Sequence, residues 1–196
     1  MRYMILLLGL IVSLAFQASQ TPANLIVNGS FEQASVTPPS YQDLPPGSTA
    51  IKGWTATGHI DYVAGLWQAS DGKHSLDLEG SACNTRSTTD CLGGVKQTFA
   101  TVAGQKYDVT FDLAGNPFGA PAVKTLKVSA AGAPQNFTFT VTGHNAASMG
   151  WKTQHWTFTA AAATTTLEFD SADSVTNLSG WGPVLDNVIV MASSTK

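Results

Sequence analysis

Gln105 to Gly115 reads QKYDVTFDLAG. Tyr107, Val109, Phe111 and Leu113 fall on one side of an extended chain, and Asp108, Thr110 and Asp112 on the other. A repeat of two is the period of a strand with one buried face. Moving outward, the same alternation returns in NFTFTV (Phe137, Phe139, Val141), in HWTFTA (Trp156, Phe158) and in TTTLEFD, where Thr165, Leu167 and Phe169 oppose Glu168 and Asp170. Ile60–Val63, His74–Glu79, Val95–Phe99 and Lys124–Ala130 are further strand candidates, and clusters such as AGNPFGAP and TGHNAASMG mark the turns. Nothing after the leader keeps a 3.6-residue period, and FTAAAATTT reads as a connection between strands. About ten short strands at regular spacing predict an all-β single domain, a β-sandwich or jelly roll of antiparallel strands.

The chain starts differently. Arg2 followed by MILLLGLIVSLAF has the charged start and short apolar core of a signal peptide, too short to span a bilayer comfortably. Residues 1–20 are assigned to this leader, with cleavage anywhere between Ala15 and Ala23, because AFQASQTPAN offers small residues but no clean cleavage motif. Residues 24–192 then form the domain and 193–196 a short tail. No second membrane span follows, so a secreted, extracellular protein is expected.

Charged residues make up 12% of the sequence, about half of the usual ~25%. The net charge of −3 becomes more negative once Arg2 leaves, and Arg86 is then the only arginine. Phosphate binding needs clustered Lys and Arg, so nucleic acid is excluded as a partner. Cys83 and Cys91 lie in SACNTRSTTDCLGG, and in an oxidising compartment they are expected to pair. So short a loop gains only about 2 to 3 kcal/mol from a bridge, which would shape a polar loop more than hold the fold. No Cys or His stands at zinc-ligand spacing from this pair.

The two ends of the domain, NLIVNGSFEQ (24–33) and GPVLDNVIV (182–190), are apolar, strand-like runs that each carry one acid. A sandwich commonly places its chain ends side by side, which would bring Glu32 and Asp186 within reach of each other.

The ordered set NLIVNGSFE, GWT, IDYV, DGKHSLDLEG, GGVKQTFAT, GQKYDVTFDLAGNP, MGW and GPVLDNVIV resembles the domain of unknown function 642 and the related bacterial choice-of-anchor C proteins, from Asn24 to Val190. The resemblance implies a galactose-binding-like jelly roll, the fold of many carbohydrate-binding modules. In its plant branch it implies a cell-wall protein tied to polysaccharide and to wall-modifying esterases. The bacterial branch carries a C-terminal sorting anchor, which MASSTK does not supply, so free secretion is expected instead. Modules of this fold often hold a structural calcium between the first strand, a middle loop and the last strand. The matching positions are Glu32, Asp71 and Asp186, with the Ser30 and His74 carbonyls as backbone ligands, and calcium asks for such oxygens from separate segments. The alternative is that Asp186-Asn187 forms a bulge or strand-end turn and Glu32 leaves its strand into solvent.

For a sugar, the residue types to look for are aromatic planes and carboxylates or amides. Trp54 and Trp156 fit core positions. Trp67, Trp151 and Trp181 sit among Gly, Ser and Asn, as ligand platforms or as plugs at an end of the core. Asp77, Asp112 and Asn116 are the polar candidates, with Glu79 beside Asp77 on one strand face. The same acids also fit the plain solvent face of an antiparallel sheet. An Asp77/Glu79 glycosidase pair would sit roughly 7 Å apart along a strand, yet His59, His74, His144 and His155 are scattered and no nucleophile motif accompanies them. A non-catalytic binder of polysaccharide or cell-wall glycan is the expectation, with a matrix or adhesion protein acting through protein contacts as the alternative. Asn28, Asn136 and Asn177 open sequons that matter only in a host that glycosylates.

Overall fold

A computed structural model describes residues 23–83, 92–173 and 180–194 of the chain; the Cys83–Cys91 pairing, Arg86 and Asn177 lie outside what is described. The described residues form eleven strands: β1 (Tyr41–Leu44), β2 (Thr55–Ala56), β3 (Ile60–Ala64), β4 (His74–Asp77), β5 (Gly94–Ala100), β6 (Lys106–Gly115), β7 (Val123–Ala130), β8 (Ala133–Thr140), β9 (Lys152–Thr159), β10 (Thr164–Ser171) and β11 (Pro183–Ala192). They pair antiparallel into a six-stranded sheet, β1-β3-β4-β11-β6-β9, and a five-stranded sheet, β2-β5-β10-β7-β8. The fold is the β-sandwich jelly roll that the period-two pattern predicts. Among the described residues no helix is long and apolar enough to cross a membrane.

The period-two rows supply the core. Phe111 of β6 meets Phe169 of β10 at 5.1 Å and Phe137 of β8 at 5.2 Å, so this face of the six-stranded sheet points at the other sheet. Tyr62, Leu76, Leu113 and Leu185 share that face by register and are buried. Trp54 and Trp156 are buried as expected, Trp54 against Phe31 and Phe169.

One expected strand is missing. Residues 24–33 run as bends and turns, because Asn28 and Phe31 take the left-handed φ values of 56° and 60° that interrupt an extended ladder. Asn28 holds the turn with its own side chain, donating to the Gln33 and Lys52 carbonyls and accepting from Gln33 N–H. The segment still lies along the last strand: Leu25 N–H donates to the Val190 carbonyl and Val188 N–H to the Gly29 carbonyl, both at 2.9 Å. A Cβ on Gly29 would stand 2.0 Å from the Val188 oxygen, so this close approach requires glycine. The two ends of the domain are neighbours, as the sandwich predicts.

Candidate functional site

The outward face of the six-stranded sheet carries a band of carboxylates. Register sets Asp43 of β1 opposite Asp61 of β3, Asp61 opposite Asp77 of β4, and Asp186 of β11 opposite Asp112 of β6. Like charges directly opposite one another destabilise a sheet, and a solvent face would be the cheapest place for them. Yet Asp61, Asp77, Asp112 and Asp186 are all buried. Loops fold over the band, and each acid holds a loop by its peptide or side-chain donors.

Asp77 is fully enclosed. Its Oδ1 accepts from Glu79 N–H at 3.0 Å and Gly182 N–H at 2.9 Å, and its Oδ2 from Asn116 Nδ2 at 2.7 Å. Burial holds its carboxyl well above the ordinary range in spite of those donors. Asp61 Oδ1 accepts from Ser81 N–H at 3.0 Å and Ser81 Oγ at 2.9 Å. Burial pushes this carboxyl up to about 6, with the Ser81 donors opposing and the Asp43 charge adding. Asp112 takes Ser70 Oγ at 2.5 Å and Asn187 Nδ2 at 3.1 Å on Oδ2, and Thr153 Oγ1 at 2.6 Å on Oδ1.

Above the Asp61 end of this band opens a cavity of about 200 Å³. Tyr41, Asp61 and Val63 rise into it from β1 and β3; Trp67, Asn116, Phe118 and Trp181 come from the covering loops. Tyr41, Phe118 and Trp181 are exposed, while Trp67 is buried, its indole N–H fixed 2.9 Å from Ser75 Oγ and its ring 6.3 Å from that of Phe118. Trp181 packs closely against Gly119: a Cβ there would be 1.7 Å from the indole.

Beneath these aromatics stands an inward-pointing lysine. Lys124 occupies a core position of β7 and is fully buried, and its ammonium donates to the carbonyls of Gly119, at 3.0 Å, and of Trp181. Burial lowers its pKa, while the charges of Asp173, Asp77 and Glu79 oppose that shift. The buried cation thereby ties the Phe118 loop to the Trp181 loop.

Three of the residues singled out by sequence, Trp67, Asn116 and Trp181, meet around the cavity. The others do different work. Asp77 and Asp112 are loop anchors beneath the surface, because the loops supply the donors their charges need. Glu79 is buried, with Oε1 accepting from Ser171 Oγ at 3.1 Å. Trp151 stays outside the cavity and braces a loop, its indole N–H 2.9 Å from the Gln68 carbonyl. Tyr41, Asp61, Ser81 and Phe118 were missed by sequence. Phe118 alone left a signal, a large aromatic inside the Gly/Pro turn AGNPFGAP.

Glu32 and Asp186 do converge, on one loop. Asp186 Oδ2 accepts from Ser70 and Asp71 N–H at 2.8 and 2.9 Å, and its Oδ1 from Asn187 N–H at 2.7 Å. Glu32 Oε1 accepts from Lys73 and His74 N–H, both at 2.8 Å, and its Oε2 faces His74 Nδ1 at 3.0 Å. Burial alone would raise the Glu32 carboxyl, but those peptide and imidazole donors outweigh it and hold the group below its ordinary range. Asp186, more deeply buried, is pushed up to about 7. A calcium ion needs oxygens turned toward one point, whereas here peptide N–H groups occupy both carboxylates. Among the described residues no three His, Cys, Asp or Glu side chains are placed to hold a metal. The set Ser30, Glu32, Asp71, His74 and Asp186 therefore does not fit calcium as arranged. The ladder shifts register between Asp186 and Ile189, with Asn187 at φ 50°, so Asp186-Asn187 is a β-bulge that aims the carboxylate at the loop.

Residues 24–191 match the family described as "Protein of unknown function (DUF642)". The chain belongs to that family. No curated protein matches it. Among solved structures, the CBM22-1–CBM22-2 tandem domain of Paenibacillus barcinonensis Xyn10C is similar with a TM-score of 0.50 at 16% identity, over 91% of this chain and 48% of that one. The CBM22-1 xylan-binding domain of the same protein gives 0.48 at 14% identity, over 91% and 100%. TmCBM61, solved with β-1,4-galactotriose, gives 0.48 at 16% identity, over 87% and 99%. At such identities the likeness concerns the fold.

Proposed function

We propose that this DUF642 chain is a secreted, non-catalytic module that binds a polysaccharide or cell-wall glycan in the cavity between Trp67 and Trp181. One observation carries the reading: three exposed aromatics, Tyr41, Phe118 and Trp181, border one cavity whose floor holds a carboxylate and which an amide also lines. Aromatic planes suit the C–H faces of a sugar ring, and convergent polar groups suit its hydroxyls. Among the described residues both donors to Asp61 go to Oδ1, so Oδ2 is available to a hydroxyl. The apolar leader supports export. Glycosidases flank a scissile bond with two carboxyls that reach it; neither Asp77 nor Glu79 lines the cavity, which supports binding without cleavage.

Retardation of the mature chain in native gels containing xylan or β-1,4-galactan tests the reading, with Trp181→Ala as its control. The variant is expected to lose the shift while its stability changes by under about 1 kcal/mol, because the ring is partly exposed. Retention by neither polymer, together with capture of a protein partner, would replace this reading with a matrix role through protein contacts.

A further inference from the structure

We infer that the cavity receives the end of a glycan chain, a single sugar ring, and not a run of rings within the chain. The inference rests on the glycan-binding reading above and specifies its ligand.

The first ground is what covers the sheet. A chain bound along its length would need an open trough across the outward face. The 65–73 loop lies across that face instead, fastened strand by strand. Trp67 Nε1 donates to Ser75 Oγ on β4, Ser70 and Asp71 N–H to Asp186 on β11, and Ser70 Oγ to Asp112 on β6. Beyond the sheet, Trp151 holds the same loop through the Gln68 carbonyl. Four separate anchors leave no path for a polymer past Trp67, and Asp112 and Asp186, which would line such a path, are buried beneath the loop.

The second ground is the shape of what remains. Leu66 and Trp67 wall the cavity on the side of the covering loop, Phe118 and Trp181 face it from two further loops, and Ser81 closes another side. Its volume of about 200 Å³ falls below the range of about 300–1,000 Å³ that encloses drug-sized ligands. That is the scale of one ring set on Asp61 and Asn116. A second, wider cavity of about 380 Å³ lies past Trp67, lined by Gln68, Lys73 and His74 among others. The two share the Trp67 side chain as a partition, and its buried indole is hydrogen-bonded in place. They form two separate basins with the indole between them.

A ring held in this cup leaves the rest of its chain outside, away from the residues that line the cavity. Calorimetric titration with galactose, β-1,4-galactotriose, xylose and xylotriose measures this directly. Whichever series binds, the affinity of monosaccharide and trisaccharide should agree within about threefold, since affinity follows the groups desolvated and not the length of the ligand. Limited endo-cleavage of β-1,4-galactan or xylan should raise the binding capacity per gram of polymer in step with the new chain ends. Affinity rising more than about tenfold from mono- to trisaccharide, about 1.4 kcal/mol, or a capacity indifferent to cleavage, would overturn the chain-end inference and leave glycan binding standing. Silence across all four sugars and both polymers would remove glycan binding itself and this inference with it.

Discussion

The two sheets of the sandwich wear the same alternating sequence and bury it differently. In the five-stranded sheet, β7 and β10 alternate between buried and accessible residues along almost their whole length. In the six-stranded sheet, the first four residues of β3, the last five of β6 and the first four of β11 are buried without a break. Both carry acids on the outward face, Glu168 and Asp170 on one, Asp61, Asp77, Asp112 and Asp186 on the other. The difference is what the acids face: Lys127 Nζ lies 2.9 Å from Asp170 at a partly exposed surface, whereas Asp77 faces three donors inside the protein. An outward row is a solvent face only where no loop returns to cover it. The place where that rule fails is where the candidate site lies.

Replacing one acid from each sheet gives the widest separation. Asp77→Ala would strand two peptide N–H groups and the Asn116 amide in a dry interior, and is expected to cost about 3 kcal/mol in urea denaturation. Glu168→Gln, on the accessible face, should stay within about 0.5 kcal/mol. Equal losses would erase the distinction between the sheets. Lys124→Met probes the buried cation beneath the aromatics. The apolar stem is retained, but Asp173, Asp77 and Glu79 lose a counter-charge, so a loss of about 2 kcal/mol is expected. Retention on the polymers proposed above should fall as well, because the Gly119 and Trp181 carbonyls are released together. A Lys124→Met protein that retains both stability and binding would show that the two loops hold their own spacing.

The fold was legible because period two survives without any knowledge of partners: Tyr107, Val109, Phe111 and Leu113 are core residues in sequence and in space. The site was legible only in part. Trp67 and Trp181 stood out as large aromatics among small polar residues, and Asn116 as an amide in a turn. Asp61 and Tyr41 sit in strand patterns that look like any other, and only the loop contacts made by Ser81 and Trp67 select that corner of the sheet. Asp77 and Asp112 were visible as acids on a strand face, but no local pattern distinguishes an acid that meets water from one that meets a returning loop.

Acidity reads the same contrast at smaller amplitude. Burial raises the folded-state pKa of Asp186 to about 7, far above the 3.9 of an unfolded aspartate. The folded state therefore binds this proton more readily than the unfolded one. The resulting stability is fully present below about pH 4 and is lost as pH rises through 7. Glu32 runs the other way: its lowered pKa gives stability that disappears as pH falls through that value. Melting temperature should accordingly rise as pH is lowered from 8 to 5, and Asp186→Asn should flatten that slope, whatever it does to the absolute value. An unchanged slope in the variant would mean that other buried acids, Asp61 and Asp77 foremost, supply the pH dependence.

The smallest expected effect is none, and it concerns the two acids at the chain ends. Carboxylates at the start and finish of a domain suggest a cation shared between them, but Glu32 and Asp186 each accept two peptide N–H groups of the same short loop on one oxygen. Gly72 sits at the centre of that loop at φ 67°, where a Cβ would lie 2.5 Å from the Glu32 carboxyl. Any side chain there would force the clasp open. The loop thus does the cation's work, joining first segment to last strand with fixed partial charges in place of an ion. Calcium or a chelator should leave the melting temperature of the wild type unchanged, while Gly72→Ala should lower it. A calcium-dependent rise of several degrees would require the 70–74 peptide groups to turn away from both acids, and would place the two chain ends, against the outward band, in the hands of a metal.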